Sequence, residues 1–483
     1  MPEDQKHEPL AIPPGHTAER PGVFVKTYGC QMNEYDSQKL LKLVESEYRQ
    51  VGSPEEAELV LINTCSVRDR PEQKVYSLLG EMRELKTLNP NLMVGVGGCV
   101  AQQEGEAIIK RSKDVDFVFG THNLSLVPSL IQRRREGFGP QVAVDYREEW
   151  EELPAGFVQT DRVSVFVSIS RGCNKNCSYC IVPITRGKEV SRSVDEIKRE
   201  IRLAAHRGAK EVTLLGQTVN SYGLDLTPKL SFVELLQQVS EIPGIERIRF
   251  TSPHPQEIRE DFIDLVCSNK KICHHVHMPL QSGSDAILKA MNRNYRRKRY
   301  IAIIEALKAR VPDMAITTDM IIGFPGETEA DFQDTLELLE RCRFDGTFSY
   351  IFSPRPGTPA AQLVDMPEEV KLERLYRYQA RQNEITSELL DGWVGKEVEV
   401  LVEGPSSNDP ALMYGRTSQN LIFNFISADA QIVKGAIVSG RVTARARYTL
   451  KGELLQQKLP VTEAPCHGAH FSRGQNRSPA LNC

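Results

Sequence analysis

Apolar positions recur along this chain in two rhythms, and the changes of rhythm divide it into blocks. In residues 22–138, short apolar runs (Val23–Tyr28, Leu59–Asn63, Met93–Gly97 and Val115–Phe119) alternate with stretches of helical period. Asn33–Gln50, with Leu40, Leu41, Leu43 and Val44 on one side, is one such stretch, and Arg70–Leu88 is another. Strands alternating with helices predict a parallel α/β sheet covered on its faces. Residues 139–158, acidic over Arg147–Glu152 and then broken by Pro154 and Gly156, read as a linker.

From 159 to 390 the alternation resumes on a larger scale. Strands are predicted at Val163–Ser168, Glu211–Leu215, Arg247–Phe250, His275–His277, Ala315–Ile321 and Gly346–Ile351. Helices are predicted between them at Val194–His206, Phe232–Ile242, Pro255–Cys267 and Glu329–Cys342, and an amphipathic helix, Glu368–Leu390, follows. This is the pattern of a partial (β/α) barrel with its chemistry at the strand carboxyl ends. Over 391–460, short strands broken by Gly, Pro, Ser and Asn (Glu397–Val402, Leu421–Phe425, Ala436–Arg447) predict a small antiparallel β-barrel. The polar tails, 1–21 and 461–483, are expected to be disordered. The fold class is α/β.

Composition narrows the function classes. Of 483 residues, 40% are hydrophobic and 26% charged, which suits a globular protein. No apolar run approaches the ~18 residues of a membrane span. The start of the chain has no apolar stretch after a basic one, so no secretory signal is read and a cytoplasmic location is expected. A formal net charge of −4 excludes wholesale attraction to nucleic acid but leaves room for a local basic face. The 11 cysteines change the picture most. Their odd number and wide scatter do not suit a disulfide framework, and thiols kept reduced bind metal or do chemistry.

Cys173, Cys177 and Cys180 form C-x3-C-x2-C directly after the first strand of the central block, interleaved with Asn174, Lys175, Asn176 and Ser178. Three thiolates in a polar loop can hold three corners of a 4Fe–4S cluster and leave one iron open. Structural zinc would want a fourth ligand, and none is near in sequence. Cys30, Cys65 and Cys99 each follow a predicted strand of the first block. In a parallel sheet they stand along one carboxyl edge, where ligands bind in open α/β folds. They could converge on a metal cluster or be small buried hydrophobes at strand ends. A phosphate cradle on the same edge would want more glycines in those turns.

The central cysteine spacing resembles that of the radical S-adenosylmethionine superfamily. The resemblance extends through Tyr28-Gly29-Cys30-Gln31-Met32-Asn33-Glu34-Tyr35-Asp36-Ser37, Asn63-Thr64-Cys65-Ser66-Val67-Arg68, Gly97-Gly98-Cys99-Val100-Ala101-Gln102, and Arg171-Gly172-Cys173 to Ile184-Thr185-Arg186-Gly187. Together these motifs resemble the methylthiotransferase family over about residues 22–460. The resemblance implies two 4Fe–4S clusters and S-adenosylmethionine. Cys173, Cys177 and Cys180 would hold the radical-generating cluster, and Cys30, Cys65 and Cys99 an auxiliary one. It implies methylthiolation of carbon 2 of N6-isopentenyladenosine at position 37 of tRNA, with one S-adenosylmethionine as methyl donor, another as radical source, and a cluster-bound sulfur. A relative acting on threonylcarbamoyl-adenosine tRNA or on a ribosomal protein is the neighbouring alternative. A non-catalytic iron–sulfur RNA-binding sensor is the alternative from another class, although a sensor needs no second open iron. The implied partners are a tRNA anticodon stem-loop carrying the isopentenylated base and a flavodoxin-type electron donor. A monomer that does not bind membranes is expected.

Strand ends of the central block carry Gln217, Ser252 and Gln281, candidates to contact S-adenosylmethionine. Leu215-Gly216-Gln217 stands where the superfamily has glycine-glycine-glutamate, which makes Gln217 the candidate for the amino group. Arg186 and Arg192 could meet phosphate or carboxylate, or be solvated as exposed arginines usually are. In the last block, Arg441, Arg445 and Arg447 alternate with Val442, Ala444 and Ala446, and no acid occurs in 434–451. On a strand the three arginines would share one face, either an RNA-backbone footprint or a solvated edge. The block resembles the TRAM RNA-binding module.

Overall fold

The computed structural model describes residues 20–455 apart from 67–68, 148–149, 151–155, 160–161, 407–408, 410 and 427–431. Both expected disordered tails, save for residues 20–21, and most of the acidic segment lie outside the described residues, as do Val67 and Arg68 of the second motif.

The first block is a six-stranded, wholly parallel sheet. Its order is Arg49–Gln50, Gly22–Thr27, Leu59–Thr64, Met93–Gly98, Phe117–Phe119, Gln141–Ala143. Leu59–Thr64 is central and buried at every position, as a strand covered on both faces must be. Two apolar clusters, one around Val60, Ile62, Val94 and Val96 and the other around Leu40, Leu59, Leu61 and Phe117, fill the two faces.

Two boundaries differ from the pattern reading. The first helix is Gln31–Val44, not Asn33–Gln50. Tyr48 and Val51 lie off its apolar stripe and are buried as the chain turns back, and Arg49–Gln50 joins the sheet edge beside Gly22–Val23. The strand Gln141–Ala143 pairs with Phe117–Phe119, so the sheet continues into the segment read as a linker.

The central block is a row of six parallel strands in two hydrogen-bonded halves. Ser164–Ser168, Glu211–Leu215 and Arg247–Phe250 form one, and His275–His277, Ala315–Ile322 and Gly346–Ile351 the other. A parallel bridge, Ile248 to Ile272, links the halves, and the partial barrel expected from the alternation is present. Val165, Val167, Val212, Leu214, Ile248 and Ile316 face the helices and build the core. The alternate positions face the opposite side, and several of them, including Glu211, Arg247 and Arg249, are polar. Arg249 meets Glu211 at 2.9 Å, and both are buried.

Helix ends follow local chemistry. Ser231 and Glu234 form a capping box before Phe232–Ser240, and Thr328 and Asp331 form one before Glu329–Cys342. The helix expected at Pro255–Cys267 is a short 3-10 turn, Pro255–Glu257, and then Glu260–Ser268. It restarts with Glu260 and Asp261 in its first turn, where carboxylates suit the helix dipole.

The last block is a closed five-stranded barrel with the order Glu397–Pro405, Met413–Thr417, Ile422–Phe425, Thr449–Leu454, Ile437–Arg445. Its pairs are antiparallel except Ile422–Phe425 with Thr449–Leu454. Arg247 and Arg249 of the central block donate to the Arg416, Thr417 and Ser418 carbonyls, seating this barrel against the core strands.

The first block docks through the helix Gln31–Val44. Met32 and Tyr35 pack with Phe157 and Leu215, and the Tyr35 hydroxyl donates to the Glu200 carboxylate at 3.3 Å. Glu200 also pairs with Arg192, and both are buried. Glu200→Ala leaves a buried guanidinium without its carboxylate, so a stability loss of roughly 3–5 kcal/mol is expected. Denaturant unfolding measures it, and a loss under about 1 kcal/mol would remove this pair as an anchor of the docking.

Candidate metal centres

The three N-terminal cysteines leave adjacent parallel strands at the same edge. Cys30 caps the helix Gln31–Val44, Cys65 follows Leu59–Thr64, and Cys99 opens the short helix Cys99–Glu104. The turns approach closely. Gly29 has φ +115°, and a Cβ there would lie 2.4 Å from the Cys65 Cβ and 2.8 Å from its Sγ, so only glycine fits. The Thr64 hydroxyl donates to the Gly97 carbonyl at 2.6 Å and accepts from the Val100 amide at 3.1 Å. Asn33 Nδ2 donates to the Thr64 carbonyl at 2.7 Å, and Asn63 Nδ2 returns a bond to the Asn33 carbonyl at 2.8 Å. Cys30 Sγ reaches Asn33 Oδ1 at 3.6 Å. Cys65 and Cys99 are buried and Cys30 is exposed.

The central cysteines sit on a loop that folds back on itself. Ser170–Arg171 pairs with Val190–Ser191, and Gly172, at φ +72°, would drive a Cβ to 2.0 Å from the Lys188 carbonyl oxygen. Cys173 Sγ lies 3.4 Å from the Thr218 hydroxyl and accepts from the Lys175 amide at 3.4 Å. Arg293 Nη1 donates to Cys177 Sγ at 3.7 Å. Burial pushes the Cys180 thiol up to about 12, and the charges of Cys177 and Cys173 add to it. Burial also raises Cys173. Cationic iron offsets that burial and lets the cysteines bind as thiolates. Among the described residues, no three His, Cys, Asp or Glu side chains take up single-ion geometry. Three cysteines on one short loop can supply three corners of a 4Fe–4S cluster, one to each of three irons.

Two family models match the chain. The radical SAM superfamily covers residues 167–339, and a family described as uncharacterized protein family UPF0004 covers 22–120. Over 445 residues the chain is 47% identical to the tRNA-2-methylthio-N(6)-dimethylallyladenosine synthase of Paraburkholderia phytofirmans, covering 90% of this chain and 97% of the relative. The chain belongs to this synthase family. The synthase of Ralstonia pickettii is 46% identical over 451 residues, covering 90% and 98%. Among solved structures, the radical S-adenosylmethionine methyltransferase TsrM from Kitasatospora setae superposes with a TM-score of 0.53 at 15% identity, covering 71% of this chain and 75% of that one. That likeness concerns the fold alone. Membership makes the chain a radical SAM enzyme of the methylthiotransferase type, which uses S-adenosylmethionine and two 4Fe–4S clusters.

For a synthase of this family, the neighbours of the cysteines matter as much as the cysteines. Arg293 is buried, and besides Cys177 it donates to the Pro279 carbonyl at 2.6 Å and to the Tyr295 hydroxyl at 2.8 Å. Glu189 is buried beside Glu257, Lys175 and Asp225, and burial first and then Glu257 push its carboxyl up to about 8. Sequence reasoning missed Arg293, Glu189 and Thr218, whose partners lie far along the chain. Of the two roles open to Arg186 and Arg192 in sequence, the carboxylate one is seen: both are buried, on Asp36 and Glu200.

Among the cofactor candidates, Gln217 precedes Thr218, which touches Cys173, and its Oε1 is buried with no hydrogen-bond partner among the described residues. Ser252 (φ +52°) and Gln281 (φ +81°) hold left-handed backbone at strand ends, unusual for side-chain-bearing residues. No hydrogen bond joins either to the cysteine loop among the described residues.

The expected arginine face is not one continuous face. A register shift between Val442 and Ala444 breaks the alternation, and the strand ends at Arg445, leaving Arg447 beyond it. Arg441 pairs with Glu397 at 2.8 Å and Arg445 with Asp391 at 2.7 Å. Arg447 instead lies over the ring of Tyr448, which is exposed. Among the described residues, no helix is long and apolar enough to cross a membrane.

Proposed function

We propose that this chain replaces the hydrogen on carbon 2 of N6-isopentenyladenosine, at position 37 of tRNA beside the anticodon, with a methylthio group, using two S-adenosylmethionine molecules, one as methyl donor and one as radical source, and a cluster-bound sulfur. The observation that carries this reading is the pair of three-cysteine sets, each at the strand carboxyl ends of its own sheet, in two blocks that dock on each other. The ring C–H has no acidic handle, so positioned acids and bases cannot exchange it for sulfur. When bound, a cluster with an open iron supplies the electron that cleaves S-adenosylmethionine to methionine and a 5′-deoxyadenosyl radical.

The rest is the work of this chain's own groups. Cys173, Cys177 and Cys180 hold the radical-generating cluster, steadied by Thr218 and Arg293. Cys30, Cys65 and Cys99 hold the auxiliary cluster on the Asn33–Asn63–Thr64 network. The unpaired Gln217 Oε1 accepts from the amino group of S-adenosylmethionine, while Ser252 and Gln281 line the same pocket. The enzyme works as a cytoplasmic monomer reduced by a flavodoxin-type donor. The named relatives favour the prenylated tRNA over a threonylcarbamoyl-adenosine tRNA or a ribosomal protein. Mass spectrometry of tRNA nucleosides from a deletion strain should show the isopentenyl nucleoside without its methylthio group, restored by the wild-type gene. Methylthiolated nucleoside that persists in the deletion strain refutes the reading.

The last barrel contacts RNA through Arg447 and Tyr448, where an exposed ring beneath a guanidinium can stack on a base and meet phosphate. Arg441 and Arg445 must first leave their carboxylates, so they add less. Arg447→Ala should flatten the log–log salt dependence of anticodon stem-loop binding by roughly 0.7. An unchanged slope, read by fluorescence anisotropy, would leave Arg447 a solvated side chain.

A further inference from the structure

Arg186 belongs to the central block, yet its side chain ends in the N-terminal one. It caps the short helix Val182–Thr185, which packs against Cys99–Glu104, the helix that Cys99 opens. The Thr121 hydroxyl locks this contact by donating to the Thr185 carbonyl at 2.7 Å. From there Arg186 Nη2 donates to Asn33 Oδ1 at 3.2 Å and to Asp36 Oδ2 at 3.0 Å. Asn33 Oδ1 is also the atom that Cys30 Sγ approaches at 3.6 Å. Arg186 is 6% exposed. Burial alone would weaken its protonation, but the neighbouring charges of Cys99, Asp36 and Cys30 hold it above the ordinary arginine value.

We propose that Arg186 is the counter-ion of the auxiliary cluster, a positioning residue supplied by the core that sets the cluster's reduction potential and its retention of iron. The proposal rests on the assignment of Cys30, Cys65 and Cys99 to that cluster. The physical need is plain. Three thiolates and their cluster carry negative charge, two of the three cysteines are buried, and a buried anion without a cation is unstable. Arginine suits the place because it stays charged when buried, and its Nη2 reaches Asn33 and Asp36 together. Asp36 offsets part of that charge and holds the fork in direction. The auxiliary site is therefore complete only when the two blocks are docked.

The test uses the full chain carrying Cys173→Ala, Cys177→Ala and Cys180→Ala, reconstituted anaerobically so that only the auxiliary cluster loads. Redox titration followed by electron paramagnetic resonance gives its potential, and iron release to a chelator gives its retention. Net charge near a cluster moves its potential, so Arg186→Gln should shift it to a more negative value and speed iron loss. Arg186→Lys should restore most of both. Asp36→Asn keeps the arginine but removes its neutralising partner, so the potential should move the opposite way. A purely structural contact would not produce shifts of opposite sign. Equal potentials and iron retention in the parent, Arg186→Gln and Asp36→Asn proteins would overturn the proposal. Should Arg186→Gln fail to fold, Asp36→Asn decides it: an unmoved potential in that protein overturns the proposal. A parent that binds no iron would show that the cluster assignment itself is wrong, and the proposal falls with it.

Discussion

Replacing Cys173 by alanine is expected to abolish both 5′-deoxyadenosine formation and methylthio product, with bound iron falling by about half. Cys173 is the thiol tied most firmly into the core, through the Thr218 hydroxyl, the Lys175 amide and the backbone bond from its own amide to the Gly187 carbonyl. Two thiolates do not hold a four-iron cluster that normally takes at least three from this motif, and without it nothing delivers an electron to S-adenosylmethionine. The remaining iron belongs to the other cysteine set. Assays of 5′-deoxyadenosine and iron in the folded variant check both parts. Reductive cleavage that survives would place the radical-generating cluster elsewhere.

Cys65→Ala should divide the chemistry. Cys65 is buried under Gly29 and follows the central strand of the first sheet, so alanine there removes a thiolate with little change of volume. Iron should again fall by about half, but cleavage of S-adenosylmethionine should continue because the core loop is untouched. No methylthio nucleoside should form. Unchanged iron in well-folded protein would mean that Cys65 is only a small apolar residue at a strand end, the bland role its burial alone suggests.

The fold was legible wherever one residue period ran long enough. The central strands, the helix Glu368–Asp391 and the C-terminal barrel core of Val398, Val400 and Phe423 all lie where alternation or helical spacing put them. Short edge elements carried too little pattern. Arg49–Gln50 is two exposed residues, and Gln141–Ala143 is three residues inside a polar stretch. Met413–Thr417 contains a glycine and an arginine, and nothing in its own pattern marks it as a strand. The cysteines at strand ends were legible because a parallel sheet turns even spacing into a common edge. Their partners were not. Arg186 finds Asp36 at a separation of 150 residues, and Arg293 finds Cys177 at 116. The acids that neutralise Arg441 and Arg445 lie 44 and 54 residues away, on other elements. A stretch without acids in sequence is therefore not a bare basic surface in space.

In the proposed reaction one folded chain generates a radical at one cysteine set and, with the second, delivers a methylthio group to an adenine carbon. Its most direct measurement uses the reconstituted protein, S-adenosylmethionine, a reductant and an anticodon stem-loop whose N6-isopentenyladenosine carries deuterium at carbon 2. Mass spectrometry follows the nucleoside and the 5′-deoxyadenosine together. A methylthio nucleoside that has lost its deuterium is expected, with that deuterium recovered in 5′-deoxyadenosine. S-Adenosylmethionine cleaved while the adenosine keeps its deuterium and gains no sulfur would contradict it.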